Sequence, residues 1–183
     1  AYADQLARQI DMRQAGSSAA LAPITEKGRD TTHFAGRDHA GNRVAATLSI
    51  NYPFGSGFVA EGTGVLLNDE MDDFVAKPGV ANAYGLVGNS ANAIAPGKRM
   101  LSSMSPTIVE GPDRVTLLGT PGGSRIISMV LLALLDSVEG RPVDELVRRG
   151  RFHHQYLPDR IEVEPGALDD AVLAELERRG HSL

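Results

Sequence analysis

Cysteine is absent from the 183 residues of this sequence. Thiol catalysis, disulfide bonds and thiolate metal sites are therefore excluded, although the absence of cysteine does not settle the compartment. The sequence also lacks a basic excess, since it has 18 Lys and Arg residues and 23 Asp and Glu residues. Nucleic-acid-binding domains carry a basic patch or stripe, so we expect no nucleic-acid partner. No apolar run approaches the ~18 residues of a membrane-spanning helix, and we expect no membrane span in this chain.

At 183 residues the chain is long enough to form one domain, or most of one, with a real core, and its first thirty residues differ in character from the rest. Residues 1–15 place Leu6, Ile10 and Arg13 at helical spacing, which predicts a helix. Residues 16–30 are rich in Gly, Ser, Ala, Pro and charged residues, which is typical of an exposed linker.

Two β-hairpins are predicted in the region that follows. Thr31–Asp38 and Arg43–Ile50 are rich in strand-forming residues, and a turn sequence at 39–42 joins them. Ser105–Val109 and Arg114–Thr120 form a second pair of this kind. Paired strands of this type predict antiparallel sheet structure.

Helices dominate the prediction for the last third of the chain. Ile126–Leu135 is almost wholly apolar, which predicts a helix buried against the sheet. Val143–Arg149 and Leu168–Arg179 are amphipathic, and Arg160–Glu164 between them has the pattern of a strand. Because the strands come as hairpins and the helices follow, the predicted class is α+β with mainly antiparallel sheets. Residues 76–99 form a loop of the length that is usually functional.

The start of the first hairpin raises a chemical question, because Thr31 and Thr32 lie at the boundary between linker and strand. Two adjacent threonines are typical of an ordinary strand start. Alternatively, Thr31 could become a new N-terminus, and its own α-amine, with a pKa near ~8, would then serve as base for its hydroxyl. The pattern alone leaves both interpretations open.

Seven short motifs follow one another along the chain. They are T-T-H-F at 31–34, N-x-x-F-G-S-G at 51–57, L-L-N-x-E-M-D-D-F at 66–74, K-P-G-V at 77–80, K-R-M-L-S-S-M-S-P-T-I-V at 98–109, P-G-G-S-R-I-I at 121–127 and R-F-H-H-Q at 151–155. In this order the series resembles the C-terminal half of a γ-glutamyltransferase (γ-glutamyltranspeptidase) precursor. The resemblance covers roughly residues 28–165.

The resemblance implies a fold and a maturation step. The family belongs to the N-terminal-nucleophile hydrolases, whose core is a four-layer αββα sandwich, and we expect this chain to form part of one. Family precursors cleave themselves at the bond that corresponds to Asp30–Thr31. Residues 1–30 would then end the large subunit, and 31–183 would form the small catalytic subunit, which we expect to be truncated at its C-terminus. The family location is periplasmic or secreted, and the family site uses no metal or cofactor.

The resemblance also implies roles for the groups that do the chemistry. Thr31 corresponds to the nucleophile for both self-cleavage and turnover. Ser49 occupies the position of a family threonine whose hydroxyl contacts the nucleophile. Gly122 and Gly123 correspond to the oxyanion hole, which two backbone N–H groups can form where a strand gives way to a helix. Tyr84 resembles the residue that covers the pocket.

Substrate recognition is implied for a further set of polar residues. Glu70 and Asp73 are three positions apart on one helical turn, where they would flank the α-ammonium of a γ-glutamyl substrate; the family has Glu or Gln at the first position. The resemblance assigns the remaining contacts with the α-amino-acid end to Asn51 and, for the α-carboxylate, to Ser102 and Ser103. A further family arginine for that carboxylate lies in the large subunit, so we expect this chain alone to bind substrate poorly. We also expect it to be inactive while the bond before Thr31 is intact, because the nitrogen of Thr31 is then an amide and cannot act as base.

Each of these motifs also has an ordinary structural interpretation. The run Asn68–Phe74 by itself is typical of a solvated acidic turn, and Pro-Gly-Gly-Ser is typical of a helix start. His153 and His154 have no third ligand at sensible spacing, so we interpret them as structural.

The resemblance implies an enzyme that cleaves γ-glutamyl amides such as glutathione, with an amino acid or peptide as acceptor and the large subunit as partner. Two alternatives remain open. One is a related acylase, either cephalosporin acylase-like or poly-γ-glutamate-processing. The other is a non-catalytic binding domain of the same fold.

Overall fold

The structure is a computed structural model that describes residues 2–8, 10–16, 31–82 and 84–183. Within these ranges the chain forms four α-helices and eight short strands. In chain order they are α1 (Tyr2–Ala7), β1 (Thr32–Arg37), β2 (Arg43–Leu48), β3 (Val59–Ala60), β4 (Val65–Leu66), β5 (Thr107–Glu110), β6 (Val115–Leu118), α2 (Ile126–Val138), α3 (Val143–Arg148), β7 (Phe152–His153), β8 (Glu162–Val163) and α4 (Asp170–Arg178).

The N-terminal helix is shorter than the spacing of apolar residues predicts. It ends at Ala7 instead of continuing to residue 15. The Asp11 carboxylate accepts a hydrogen bond from the backbone N–H of Arg13 at 2.8 Å, a local bond that competes with the helical pattern. The backbone N–H of Ala15 bonds instead to the carbonyl of Arg179, at the end of α4. Residues 17–30, where the linker was predicted, lie outside the described residues.

The first hairpin is confirmed and fixes the position of Thr31. β1 and β2 are antiparallel with Thr32 opposite Leu48. The register therefore brings the residue before β1, Thr31, next to the residue after β2, Ser49. The turn is held by Asp38, whose carboxylate accepts bonds from Asn42.

The second hairpin is confirmed with shorter strands, β5 and β6. The strand predicted at Arg160–Glu164 is β8, which pairs with β7, and β3 pairs with β4. Each of these ladders has two strands, and all are antiparallel, as predicted. Among the described residues, no backbone ladder joins one hairpin to the next, so the sheets here are fragments of the predicted layers.

Helix α2 follows the second hairpin, and the expectation of full burial is only half right. Ile126 and Val130 are buried, whereas Ile127, Leu131 and Leu135 are at least half exposed. The exposed three recur every four residues and so share one face of the helix. A helix that is apolar on all sides predicts cover on all sides, but the described part of the chain covers only one of them.

Candidate active site

A cavity of about 660 Å³ opens at the ends of the first hairpin. Its wall combines residues from the hairpin, the acidic turn, the long loop and the segment that leads into α2. Among its lining residues are Thr31, Ser49, Asn51, Glu70, Asp73, Tyr84, Ser102, Ser103 and Gly123. The structure thus brings together nine of the residues that the sequence singled out, although they span more than ninety positions.

The two hydroxyl groups predicted to interact do so. Thr31 Oγ1 lies 3.1 Å from Ser49 Oγ. The backbone N–H of Asn51 donates to the same Ser49 oxygen at 2.9 Å. Because that oxygen already accepts a bond, the single hydroxyl hydrogen of Ser49 can point at Thr31 Oγ1 or at the Glu70 carboxylate, which it also faces. A donor in this position favours negative charge on the threonine oxygen. Asp30 lies outside the described residues, so the expected cleavage bond is not described.

Glu70 and Asp73 lie at the two ends of one 3₁₀ turn. Side chains three apart on such a turn project in the same direction, and both carboxylates reach the cavity. Burial, followed by the charge of Glu70, raises the pKa of Asp73 to about 6. Burial also raises the pKa of Glu70, whose Oε1 is buried without a hydrogen-bond partner among the described residues. This geometry is suited to a ligand that brings a positive charge with N–H donors.

Tyr84 closes one side of the cavity through contacts with three residues. Its hydroxyl donates to Asn51 Oδ1 at 2.9 Å. Its ring stacks on Tyr52, with ring centres 5.7 Å apart. A Cβ on Gly123 would lie 2.7 Å from the ring, so only glycine allows this approach. Asn51 is buried and has a φ of 70°, a left-handed conformation that asparagine tolerates better than most residues.

The glycine pair lies at a strand-to-helix junction, as predicted. Gly123 begins a 3₁₀ turn that leads directly into α2. Gly122 has a φ of 143° and Gly123 a φ of 58°, conformations that favour glycine. Ser103 Oγ donates to the carbonyl of Gly123 at 2.9 Å, which ties the serine pair to this junction. Gly122 is not among the residues that line the cavity.

Two residues near the site were not predicted from the sequence. Tyr52 supports Tyr84 and donates from its own hydroxyl to Asp72 Oδ2 at 2.7 Å. Burial, followed by the bond to Asp72, raises the pKa of Tyr52. Its place beside Asn51 in the N-x-x-F-G-S-G motif was the available signal. Gln155 ends the R-F-H-H-Q motif, and its side chain reaches the loop that carries Tyr84.

The two histidines have separate partners. His153 Nδ1 lies 2.5 Å from Ser128 Oγ, and His154 Nε2 lies 3.5 Å from Asp159. Across the described ranges, no group of three His, Cys, Asp or Glu side chains could hold a metal ion. None of the helices described is long and apolar enough to cross a membrane.

Comparison with known proteins decides the family. The family model described as γ-glutamyltranspeptidase matches residues 1–183. This chain belongs to the γ-glutamyltranspeptidase family. It is 48% identical to the glutathione hydrolase proenzyme of Escherichia coli, in an alignment that covers 100% of this chain and 32% of that protein. The chain therefore spans about a third of the length of this curated relative.

Solved structures of the γ-glutamyltranspeptidase family confirm the predicted fold class. A mutant of the enzyme from Helicobacter pylori has a TM-score of 0.77 at 45% identity, covering 82% of each chain. A highly active mutant from Pseudomonas nitroreducens has a TM-score of 0.74 at 51% identity, covering 83% of this chain and 80% of that one. The α+β architecture with antiparallel sheets is thus part of an N-terminal-nucleophile hydrolase fold.

Proposed function

We propose that the protein containing this chain is a γ-glutamyltransferase and glutathione hydrolase that works through an acyl-enzyme on Thr31. One observation carries the proposal: Thr31 Oγ1 lies 3.1 Å from Ser49 Oγ, in the wall of a cavity that also holds the Glu70–Asp73 pair. A nucleophile and a site for a cationic head group therefore share one cavity. Family membership supports the same assignment.

The nucleophile is activated by cleavage of the bond between Asp30 and Thr31. While that bond is intact, the nitrogen of Thr31 is an amide and cannot accept a proton. Cleavage frees an α-amine, whose usual pKa near ~8 suits a general base. Residues 1–30 then end the large subunit and 31–183 belong to the small catalytic subunit. The isolated, uncleaved chain is inactive for this reason.

Acylation follows from the positions of these groups. Thr31 Oγ attacks the γ-carbonyl carbon, and the freed α-amine takes the hydroxyl proton. The N–H groups of Gly122 and Gly123 stabilise the oxyanion, and each such donor contributes roughly 3–4 kcal/mol. The C–N bond then breaks, the proton passes to the leaving nitrogen, and a γ-glutamyl ester remains on Thr31. Water or the amine of an acceptor amino acid or peptide attacks this ester and regenerates the hydroxyl.

The substrate's amino-acid end is recognised by the polar wall of the cavity. Its α-ammonium lies between Glu70 and Asp73, which relieves the repulsion of two carboxylates. Its α-carboxylate accepts a bond from the Ser102 hydroxyl and, once the Ser103 hydroxyl turns away from the Gly123 carbonyl, a second bond from Ser103, with Asn51 beside them. Tyr84 covers the bound substrate. The upstream large subunit completes the binding site, and with it the partners are a γ-glutamyl compound such as glutathione and the acceptor.

The acylase alternatives differ in the head group that they require. A cephalosporin acylase-like or poly-γ-glutamate-processing enzyme would share the nucleophile but would not need a free α-ammonium. Glu70 and Asp73 favour the γ-glutamyl specificity, because a cation between two part-buried carboxylates with raised pKa values would relieve their repulsion. A non-catalytic binding domain would have no use for the Thr31–Ser49 pair.

The test uses the full-length proenzyme with Thr31→Ala. We expect neither self-cleavage on a denaturing gel nor release of p-nitroaniline from γ-glutamyl-p-nitroanilide. Thr31→Ser keeps a hydroxyl and should retain both. Thr32→Ala is the matched control, because Thr32 is an exposed neighbour in β1. Wild-type protein that cleaves itself but releases no p-nitroaniline would favour an acylase. Full turnover by Thr31→Ala would overturn the proposal.

A further inference from the structure

Gln155 lies behind the cavity, where its amide connects two segments of the wall. Its Nε2 donates to the carbonyl of Tyr84 at 2.8 Å and to the carbonyl of Leu157 at 2.9 Å. Its Oε1 accepts from Ser124 Oγ at 2.6 Å and faces His153 Nε2 at 2.8 Å. Tyr84 covers the cavity, and Ser124 directly follows Gly123. One side chain thus contacts both the covering loop and the oxyanion segment.

The bonds fix the orientation of the amide and the tautomer of the histidine. Two carbonyl oxygens face one end of Gln155, so that end must be the NH₂ group. The other end is then an oxygen, and His153 must present an N–H from Nε2. Burial lowers the pKa of His153, which favours the neutral ring. Its Nδ1 is therefore an acceptor, and the Ser128 hydroxyl, which also lies 3.1 Å from the carbonyl of Arg125, donates to Nδ1 across the shorter distance of 2.5 Å.

The network leaves no freedom at Gln155, since both amide hydrogens and the amide oxygen are bonded. His153 is buried and holds the oxygen end against α2 through Ser128. A fully satisfied, part-buried network of this kind favours a single arrangement. The residues that it fixes are the backbone of Tyr84 and the side chain of Ser124. Their neighbours in the cavity, the Tyr84 ring and Gly123, already touch each other.

Resting on the proposed function, we infer that Gln155 is a positioning residue for the acylation step. Its two donated bonds hold the Tyr84 loop, and its accepted bond holds Ser124, so that the ring and the Gly123 N–H keep a fixed separation. Glu70, Asp73 and Ser102 are not part of this network. Loss of Gln155 should therefore weaken transition-state stabilisation and leave binding of the amino-acid end largely intact.

The test measures single-turnover release of p-nitroaniline from γ-glutamyl-p-nitroanilide by the full-length, self-cleaved enzyme. Rates are divided by the amount of cleaved enzyme on a gel, so partial folding does not count as slow chemistry. Gln155→Met keeps the length of the side chain and removes all of its hydrogen bonds. We expect the acylation rate to fall by about 10- to 100-fold, the scale of a displacement near 1 Å. The substrate concentration for half-maximal rate should change less than about 3-fold.

Two further variants test the NH₂ end and the oxygen end of the Gln155 amide separately. Gln155→Glu keeps an acceptor for Ser124 and His153 but loses the donors to Tyr84 and Leu157. Ser124→Ala removes the bond that the oxygen of Gln155 accepts from the Ser124 hydroxyl. Each should slow acylation, and Ser124→Ala combined with Gln155→Met should be no slower than Gln155→Met alone. Additive losses would mean that the two residues act separately, which overturns the inference.

A control separates positioning from stability. Ser137 is buried and donates to Thr116 Oγ1 at 3.1 Å, outside the cavity. Ser137→Ala should lower Tm without changing the acylation rate per cleaved enzyme. If wild type releases no p-nitroaniline, the proposed function fails. If wild type is active and Gln155→Met matches it per cleaved molecule, the inference alone fails. If Gln155→Met does not cleave itself, the acylation rates of Gln155→Glu and Ser124→Ala per cleaved enzyme decide the inference in its place.

Discussion

Two groups of carboxylates in this chain, all at least partly buried, differ in whether basic side chains pair with them. Asp136 on α2 is almost fully buried, and it forms ion pairs with Arg149 and with Arg141 Nε, the latter at 3.2 Å. Glu70 and Asp73 are part-buried, repel each other, and form no ion pair with any described basic side chain. The chain supplies the counter-charges in the first case and none in the second.

This difference is the one expected between a structural acid and the proposed binding acids. Burying a charge costs several kcal/mol unless a partner offsets it. Asp136 has its partners permanently, and through them it joins α2 to α3. The cost of burying the charges of Glu70 and Asp73 is instead seen in the raised pKa values of both carboxyls. A pair whose cost is not offset internally is suited to a cationic ligand, and raised pKa values concentrate at functional sites.

The largest expected effect concerns Asp136. Asp136→Asn keeps the shape and removes the charge that Arg149 faces, and breaking a buried pair costs about 3–5 kcal/mol. Because Arg149 is partly exposed, we expect the lower end of that range. Urea unfolding of the full-length protein should show the loss, while kcat/KM of the folded enzyme stays at the wild-type value. Exposed Asp113 in the second hairpin turn provides the control Asp113→Asn. A change in kcat/KM for Asp136→Asn without a loss of stability would contradict a purely structural role for Asp136.

Asp73→Asn should produce the reverse pattern. It removes one carboxylate from the α-ammonium, and such a loss costs roughly 2–5 kcal/mol in binding. We expect kcat/KM for γ-glutamyl-p-nitroanilide to fall by at least about 30-fold, while self-cleavage continues. The free energy of unfolding should not decrease, because the substitution relieves repulsion with Glu70. Unchanged kinetics in correctly cleaved enzyme would instead favour the acylase alternatives.

Several parts of this comparison follow from the sequence and others do not. The meeting of Thr31 with Ser49 was predictable, because a hairpin turn sets the register of its strands. The pairing of Glu70 with Asp73 follows from local spacing. The bond from Gln155 to Tyr84 joins residues 71 positions apart, and no local pattern encodes such a contact. The helix predicted for residues 1–15 failed because the Asp11 side chain bonds to the nearby backbone. Hydrophobicity alone also could not show which face of α2 is covered.

The binding site should also depend on pH in a direction that the raised pKa fixes. The pKa of Asp73 is raised from its usual value near 4 to about 6. Between about pH 4 and 6 the Asp73 carboxyl is therefore protonated in the native state and ionised in the unfolded state. The contribution of Asp73 to stability falls as pH rises through that window.

Binding of an α-ammonium reverses this trend, because it favours the ionised carboxylate. Calorimetry with L-glutamate should show tighter binding as pH rises from 5 to 7, by up to about tenfold per unit below the pKa. Binding should release protons, and the measured heat should vary with the ionisation enthalpy of the buffer. In the Asp73→Asn enzyme this pH dependence should weaken. Binding of equal strength at pH 5 and 7 in wild type would contradict the assignment.

The smallest expected effect belongs to Glu70→Gln, which sharpens the comparison most. Glutamine keeps an oxygen for the ammonium and removes the like charge beside Asp73, which is one cause of the raised Asp73 pKa. The lost attraction and the relieved repulsion oppose each other, so we expect kcat/KM to change by less than about fivefold. The pH dependence of glutamate binding should move to lower pH, because only burial and the charges of Asp72 and Asp69 then raise the pKa of Asp73. Glu61→Gln, at an exposed loop position, should leave the pH profile in place.

If Glu70→Gln is as damaging as Asp73→Asn, the two carboxylates are equal partners of the ammonium. If it shifts the pH profile with little loss of activity, Asp73 is the main counter-charge and Glu70 tunes its pKa.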